Sequence, residues 1–232
     1  MLTSKHGNEG GAAMIVGLSN SKGGVGKSTL AVHLAVYLKE QGADVILVDA
    51  DVQGSSSVWL HEAMPHLPVA RLQTPDDILD RLPELRQKCD FLVVDGPAGL
   101  SEVTRAILLL TDLAVLPCGP SVLDLRAAHD AIRVVRQARA IRHGPPQAVL
   151  VPNKLQVAYR LSREFLETAN SLEIPSTPGL RLRQAFADAA GQGTVVWRLG
   201  PRGQSATHEI KELFNGLFRQ KPQDDERSAA SP

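Results

Sequence analysis

The chain has 232 residues, 43% apolar and 22% charged; at roughly 100 to 200 residues per domain, that is one domain with one substantial core. Its 25 lysines and arginines balance 25 acids, so the overall charge does not mark a nucleic-acid coat, and any basic surface must come from uneven distribution. Two cysteines exclude a disulfide framework. No apolar run reaches the roughly 18 residues of a bilayer-spanning helix, so the chain reads as cytosolic.

Residues 1–13, MLTSKHGNEGGAA, lack the apolar stretch of a signal peptide, and Glu9 argues against a transit peptide, so they read as a flexible leader. Met14, where apolar patterning begins, is either the true start or follows a genuine extension. Residues 221–232, KPQDDERSAASP, are polar and rich in breakers and are expected to form a disordered tail. The folded body then covers 14–220. Short apolar runs suited to buried parallel strands occur at 14–20, 44–50, 91–96, 112–118 and 147–153. Between the first two, a helix is predicted from Lys27 to about Gln41, with Leu30, Leu34 and Leu38 on one stripe and Gly42 as breaker. Thr74-Pro75-Asp76-Asp77 reads as another helix start, with a capping threonine, proline in the first turn and acids at the positive dipole end. This alternation predicts an α/β fold, a mostly parallel sheet with helices on both faces and ligands beyond the carboxyl ends of the strands.

The first strand run leads into Ser21-Lys22-Gly23-Gly24-Val25-Gly26-Lys27-Ser28-Thr29, which opens the first helix, the context a phosphate-binding loop requires. Glycines let backbone N–H groups turn inward around an anion, and the helix N-terminus adds positive potential. Lys27 is expected to reach the terminal phosphates and Ser28 to offer its hydroxyl to Mg²⁺. The strict G-x-x-x-x-G-K-[ST] pattern fails at Ser21, and a second lysine, Lys22, precedes the glycines. This K-G-G-V-G-K-S-T box, Lys22 to Thr29, resembles the deviant phosphate loop of the ParA/MinD group of P-loop ATPases. The resemblance extends through most of the folded body. It implies ATP and Mg²⁺ as cofactors and an ATP-dependent homodimer in which Lys22 reaches the partner's nucleotide.

Asp49 and Asp51 close the second strand run, and strand alternation predicts both on one side, able to hold a water against a phosphate. The segment is similar to the family's D-x-D-P-Q box, with Val52 in place of proline. By that resemblance Asp51 positions the attacking water, and Asp49 supports it near the metal. Asp95, after four apolar residues, has the form of a Walker B acid and is expected to align waters of Mg²⁺. The glycine that follows it departs from the usual family sequence and is similar to smaller, plasmid-type members. Pro117 to Asp124 resembles the family's P-x-x-P-S-x-x-D segment, which lies at the dimer face. Asn153 stands where family members hold adenine through an amide; an asparagine opening a turn is the equal alternative.

Cys89 and Cys118 are expected on opposite edges of neighbouring strands, too far apart to share an iron–sulfur cluster. Ile210, Leu213, Phe214, Leu217 and Phe218 form one helical stripe, read as core rather than as a membrane-seeking end because Glu209 and Glu212 interrupt any basic face. Arg133, Arg136, Arg139 and Arg142 recur every third residue as a loose basic strip. From Lys154 to Lys221, ten basic residues stand against six acidic ones, among them Arg160, Arg163, Arg181 and Arg183. Doubled in a dimer, such a surface would bind DNA nonspecifically. The resemblance therefore implies a cytoplasmic, nucleoid-associated ATPase, stimulated by a cargo-bound ParB-like or adaptor partner. Its cargo would be a plasmid, a chromosome or a protein microcompartment such as a carboxysome. The alternatives are a MinD-like membrane-cycling regulator and a nucleotide-binding scaffold without turnover; no residue selects the cargo.

Overall fold

The computed structural model describes residues 13–156, 172 and 174–219. The expected leader and tail, and with them Arg160 and Arg163, therefore lie outside the described residues, apart from Ala13. Six strands form a wholly parallel sheet: β1 (Met14–Asn20), β2 (Val45–Asp49), β3 (Val69–Arg71), β4 (Phe91–Ala98), β5 (Leu113–Cys118) and β6 (Gln147–Pro152). Their order is β3-β2-β4-β1-β5-β6. Among the described residues the α-helices are α1 (Lys27–Glu40), α2 (Ser55–Ala63), α3 (Pro75–Arg86), α4 (Glu102–Leu110), α5 (Val122–Arg142), α6 (Gln184–Gly191) and α7 (Gln204–Arg219).

Strand alternation divides the core between the two faces. Val16, Leu18, Leu47, Val93, Val115 and Val151 pack with α1, α2, α6 and α7. On the other face Ile15, Val48, Leu92 and Val94 meet α3 and α4, while Ala114, Leu116, Ala148 and Leu150 meet α5. Burial on both faces is why the strands read as unbroken apolar runs. At about 1.5–3 kcal/mol for each fully buried large aliphatic side chain, this two-sided packing dominates the stabilisation. Every residue of α1 from Leu30 to Leu38 is buried, well beyond the three-leucine stripe, because α2 and α7 enclose it as well as the sheet. Thr74 caps α3 as expected, its side chain accepting the Asp77 N–H.

Several expectations need correction. The edge strand β3 and the helix α2 were not anticipated: β3 is three residues with little burial, and α2 opens on three serines, poor helix formers. β4 continues past Gly96 to Ala98, and glycine is required there because a Cβ would lie 2.7 Å from the Leu18 carbonyl oxygen on β1. Cys89 lies just before β4 and Cys118 ends β5, and these strands are not neighbours, since β1 runs between them. Burial pushes the Cys89 thiol up to about 11 and the Cys118 thiol to about 12, so both stay protonated. The arginine strip is also not continuous. Arg139 donates to the Pro146 carbonyl in the turn between α5 and β6, and Arg142 ties the end of α5 to the Thr111 carbonyl and Asp112 ahead of β5. On α7, Ile210, Leu213 and Phe214 are buried in the core, and Leu217 and Phe218 pack against it.

Candidate nucleotide site

The carboxyl ends of β1, β2 and β4 bring the site together. Asp49 and Asp95 are in register on adjacent parallel strands, and Leu18 of β1 is in register with Asp95 on its other side. The loop after β1 starts from Asn20, which is fully buried. Its amide donates to the Pro117 carbonyl at 2.7 Å and accepts the Lys22 N–H at 2.9 Å, tying the loop to the end of β5. Gly24 and Gly26 take φ of +72° and +102°, the left-handed turn that folds backbone N–H groups around an anion. A Cβ on Gly26 would also lie 2.3 Å from the Asn153 amide nitrogen. Val25 is buried, and Gly23, Gly24 and Thr29 complete the loop and the first turn of α1.

The two lysines of the loop have different surroundings. Lys27 is 6% exposed and donates to the Lys22 carbonyl at 3.2 Å. Burial lowers its pKa, while Asp95 and Asp51 oppose the shift, which places its ammonium in their field. Lys22 instead forms an ion pair of 2.6 Å with Asp124 in the first turn of α5, and its side chain stays 43% exposed. Asp124 also belongs to a capping box with Ser121. Burial works against its charge, but Lys22 and Ser121 outweigh that and hold the carboxyl below the usual range.

The three acids are not equivalent. Both Asp49 oxygens accept backbone N–H groups, from Asp51 at 3.1 Å and Ser57 at 2.8 Å, so this fully buried carboxylate shapes the loop that carries Asp51. β2 ends at Asp49, so a turn rather than strand alternation places Asp51; its carboxylate accepts the Gln53 N–H and its carbonyl accepts from Gln73. Asp95 is fully buried and neither of its oxygens has a hydrogen-bond partner. Burial, reinforced by Asp49, pushes its carboxyl up to about 6 against the Ser28 and Ser56 hydroxyls and Lys27. The Ser56 hydroxyl is buried and unpartnered as well. Sequence reasoning passed over Ser56, Asn20 and Lys154, which carry no motif of their own.

Orphaned acceptors beside the Ser28 hydroxyl fit a hydrated Mg²⁺ arriving with a nucleotide. No group of three His, Cys, Asp or Glu among the described residues can hold a metal alone, so phosphate oxygens and water must complete such a shell. Asn153 is 7% exposed; it donates to the Val25 carbonyl at 2.7 Å and accepts the Lys154 N–H at 2.8 Å. Its amide thus braces the loop and opens the turn at Lys154. A cavity of about 240 Å³ opens beside the loop, lined by Gly26, Thr29, Asn153, Lys154, Leu180 and Phe186 with Arg181 and Arg183.

Among the described residues, the arginines proposed for DNA fall on two elements, Arg133 and Arg136 on α5 and Arg181 and Arg183 just before α6. Arg183 and Arg181 both engage Glu209 of α7, at 2.6 and 3.5 Å, and line the cavity. Arg133 sits on α5, 3.8 Å from Asp130, and Arg136 lies one turn further along. Among the described residues no helix is long and apolar enough to cross a membrane.

Residues 16–196 match the CobQ/CobB/MinD/ParA nucleotide binding domain family. The chain is 32% identical over 213 residues to the maintenance of carboxysome distribution protein A of Halothiobacillus neapolitanus, covering 89% of this chain and 97% of that one. It is 41% identical over 210 residues to the protein of the same name from Gloeobacter kilaueensis, covering 88% and 94%. In fold it resembles a substituted Cyanothece McdA in complex with ATP, with a TM-score of 0.74 at 16% identity over 91% of this chain and 100% of that one. It also resembles the MinD cell division protein of Aquifex aeolicus, with a TM-score of 0.68 at 18% identity over 90% and 100%.

Proposed function

Since this chain belongs to the ParA/MinD family of P-loop ATPases, we propose that it hydrolyses ATP to position a cargo, pairing with a second copy of itself in the ATP state and parting after hydrolysis. The observation that carries this reading is the placement of Lys22. Lys27 already serves its own loop, whereas the Lys22 ammonium is held at the rim by Asp124, partly exposed and available to a nucleotide on another subunit. Val122 and Leu123 of α5 and Val52 after Asp51 are 57%, 64% and 70% exposed around that edge, a surface that a second copy would cover. A phosphate contacted from both subunits is lost on hydrolysis, which removes what favours the paired state.

Within the site, Lys27 and the loop amides hold the phosphates, and Asp51 orients the attacking water. Ser28 and Asp95 hold the Mg²⁺ and its waters. The metal supplies charge neutralisation of the phosphate oxygens. Its protein relatives distribute carboxysomes, by name, so the cargo proposed here is a carboxysome or a comparable protein microcompartment, reached through an adaptor partner in the cytoplasm. Nonspecific DNA is the proposed track, with Arg133, Arg136, Arg160 and Arg163 as contacts. Arg181 and Arg183 fit that role less well because Glu209 occupies them. A membrane track is disfavoured because the α7 stripe is spent on the core.

Retention on nonspecific duplex DNA across a salt series tests this reading. Binding with Mg²⁺ and ATP, lost with ADP and falling steeply with salt, is expected. Retention on anionic vesicles but not on DNA would favour the membrane cycle instead.

A further inference from the structure

Beyond the residues of the motifs, the end of β6 holds the phosphate loop by two side chains. Asn153 donates to the Val25 carbonyl and the Lys154 ammonium donates to the Gly24 carbonyl, each at 2.7 Å. Lys154 does this from a left-handed backbone, φ +58°, a conformation that disfavours a side chain and that glycine would adopt freely. The Asn153 side chain accepts the Lys154 N–H, so the two residues act from one tight turn. In a planar trans peptide the carbonyl and the following N–H point in opposite directions. Drawing the Gly24 and Val25 oxygens toward β6 therefore turns the N–H groups of Val25 and Gly26 the other way, as an anion nest requires.

We propose that Lys154 is a positioning residue for the phosphates of the nucleotide: through the Gly24 carbonyl it sets the direction of the Val25 amide, and with Asn153 it keeps the loop preformed before ATP arrives. The inference rests on the loop being the phosphate site. Because Lys154 also lines the adjoining cavity, its competing role is a contact with the base, and the two roles respond differently to a ligand that has phosphates but no base.

The test compares the wild type with Lys154→Met, Lys154→Arg and Lys154→Gly in ADP binding by calorimetry and in displacement of a fluorescent ADP by inorganic pyrophosphate. Lys154→Met is expected to weaken ADP and pyrophosphate alike, by about fivefold to tenfold for one lost charged hydrogen bond, and Lys154→Arg to restore most of it. Lys154→Gly relieves the backbone and should melt no lower than the wild type while binding ADP as poorly as Lys154→Met. Amide hydrogen exchange at Val25 and Gly26 in the nucleotide-free protein should quicken in Lys154→Met. Weakened ADP with unchanged pyrophosphate and unchanged exchange would overturn the proposal in favour of a base contact. Unchanged ADP affinity in both Met and Gly variants would overturn any role. Wild-type protein that fails to bind ADP would instead refute the loop as the phosphate site.

Discussion

Two acids at opposite ends of the sheet, one half-buried and one fully buried, show how one fold uses the same side chain for two purposes. At the amino edge Asp112, just before β5, accepts the Ile15 N–H at 2.9 Å and pairs with Arg86 at 2.8 Å and Arg142 at 3.4 Å. Those donors join β1, α3 and α5 at one carboxylate, so its burial is compensated and it serves the fold. At the carboxyl edge Asp95 is more deeply buried and has no hydrogen-bond partner. The Ser28 and Ser56 hydroxyls and Lys27 offset its burial only in part, the state expected of a carboxyl that the proposed nucleotide and its metal would complete. Buried charge alone does not separate structure from function; the state of its partners does.

The largest effect should come from removing the unpaired acid. Asp95→Asn is expected to reduce ATP turnover by about 10³-fold, as loss of a group that orders transition-state charge commonly does, while leaving the nucleotide-free protein at least as resistant to heat. Phosphate release and melting curves would check both halves, and wild-type turnover would break the comparison. Asp112→Ala should do the reverse. It should cost about 2 kcal/mol in denaturant unfolding, less than breaking a fully buried pair, because Asp112, Arg86 and Arg142 keep side-chain exposures of 19%, 27% and 23%. ADP affinity of the folded fraction should not change.

His33 gives the comparison a pH axis. Its ring is fully buried on α1, with Nδ1 donating to the Thr29 carbonyl at 2.7 Å and Nε2 accepting the Val196 N–H at 3.2 Å, which fixes the neutral form. Trp59, Phe186 and Trp197 surround it edge-on. Burial lowers its pKa to about 4. The folded state therefore refuses a proton that the unfolded chain accepts, so stability is complete above about pH 6.5 and is lost as pH falls toward 4. The expected loss is on the order of 3 kcal/mol, measurable by denaturant unfolding at several pH values. His33→Gln should remove that slope between pH 6.5 and 4, and an unchanged slope would show that other groups carry it.

The smallest stability change is expected at the rim. The Lys22–Asp124 pair is partly exposed, so Lys22→Ala should cost under about 1 kcal/mol in the monomer. The same substitution should abolish ATP-dependent pairing in light scattering; an undiminished dimer would remove Lys22 from the subunit interface.

Much of this was legible because it is local. The phosphate loop, the α3 cap and the apolar strand runs each follow from a few adjacent residues, and the structure has the strands within one residue of their expected bounds, except β4, which runs two residues further. Asp51 was legible only through resemblance: its placement follows from Asp49 holding the turn, not from strand alternation. β3 escaped because three weakly buried edge residues have no period to read. The arginines' partners were not legible because spacing counts charges and not contacts: Arg139, Arg142, Arg181 and Arg183 each have one.

The sequence by itself determined the chemistry available: a glycine turn opening a helix, two lysines around it, and acids at the ends of buried strands, all set by backbone periodicity and local sterics. Only the tertiary structure decided how those groups are shared. Strand order brought Asp95 between Asp49 and Leu18, the start of α5 captured Lys22, and the end of β6 took hold of Gly24 and Val25. Such pairings depend on which distant segments the packed core sets side by side, and hydrogen bonds and ion pairs act over only a few ångströms.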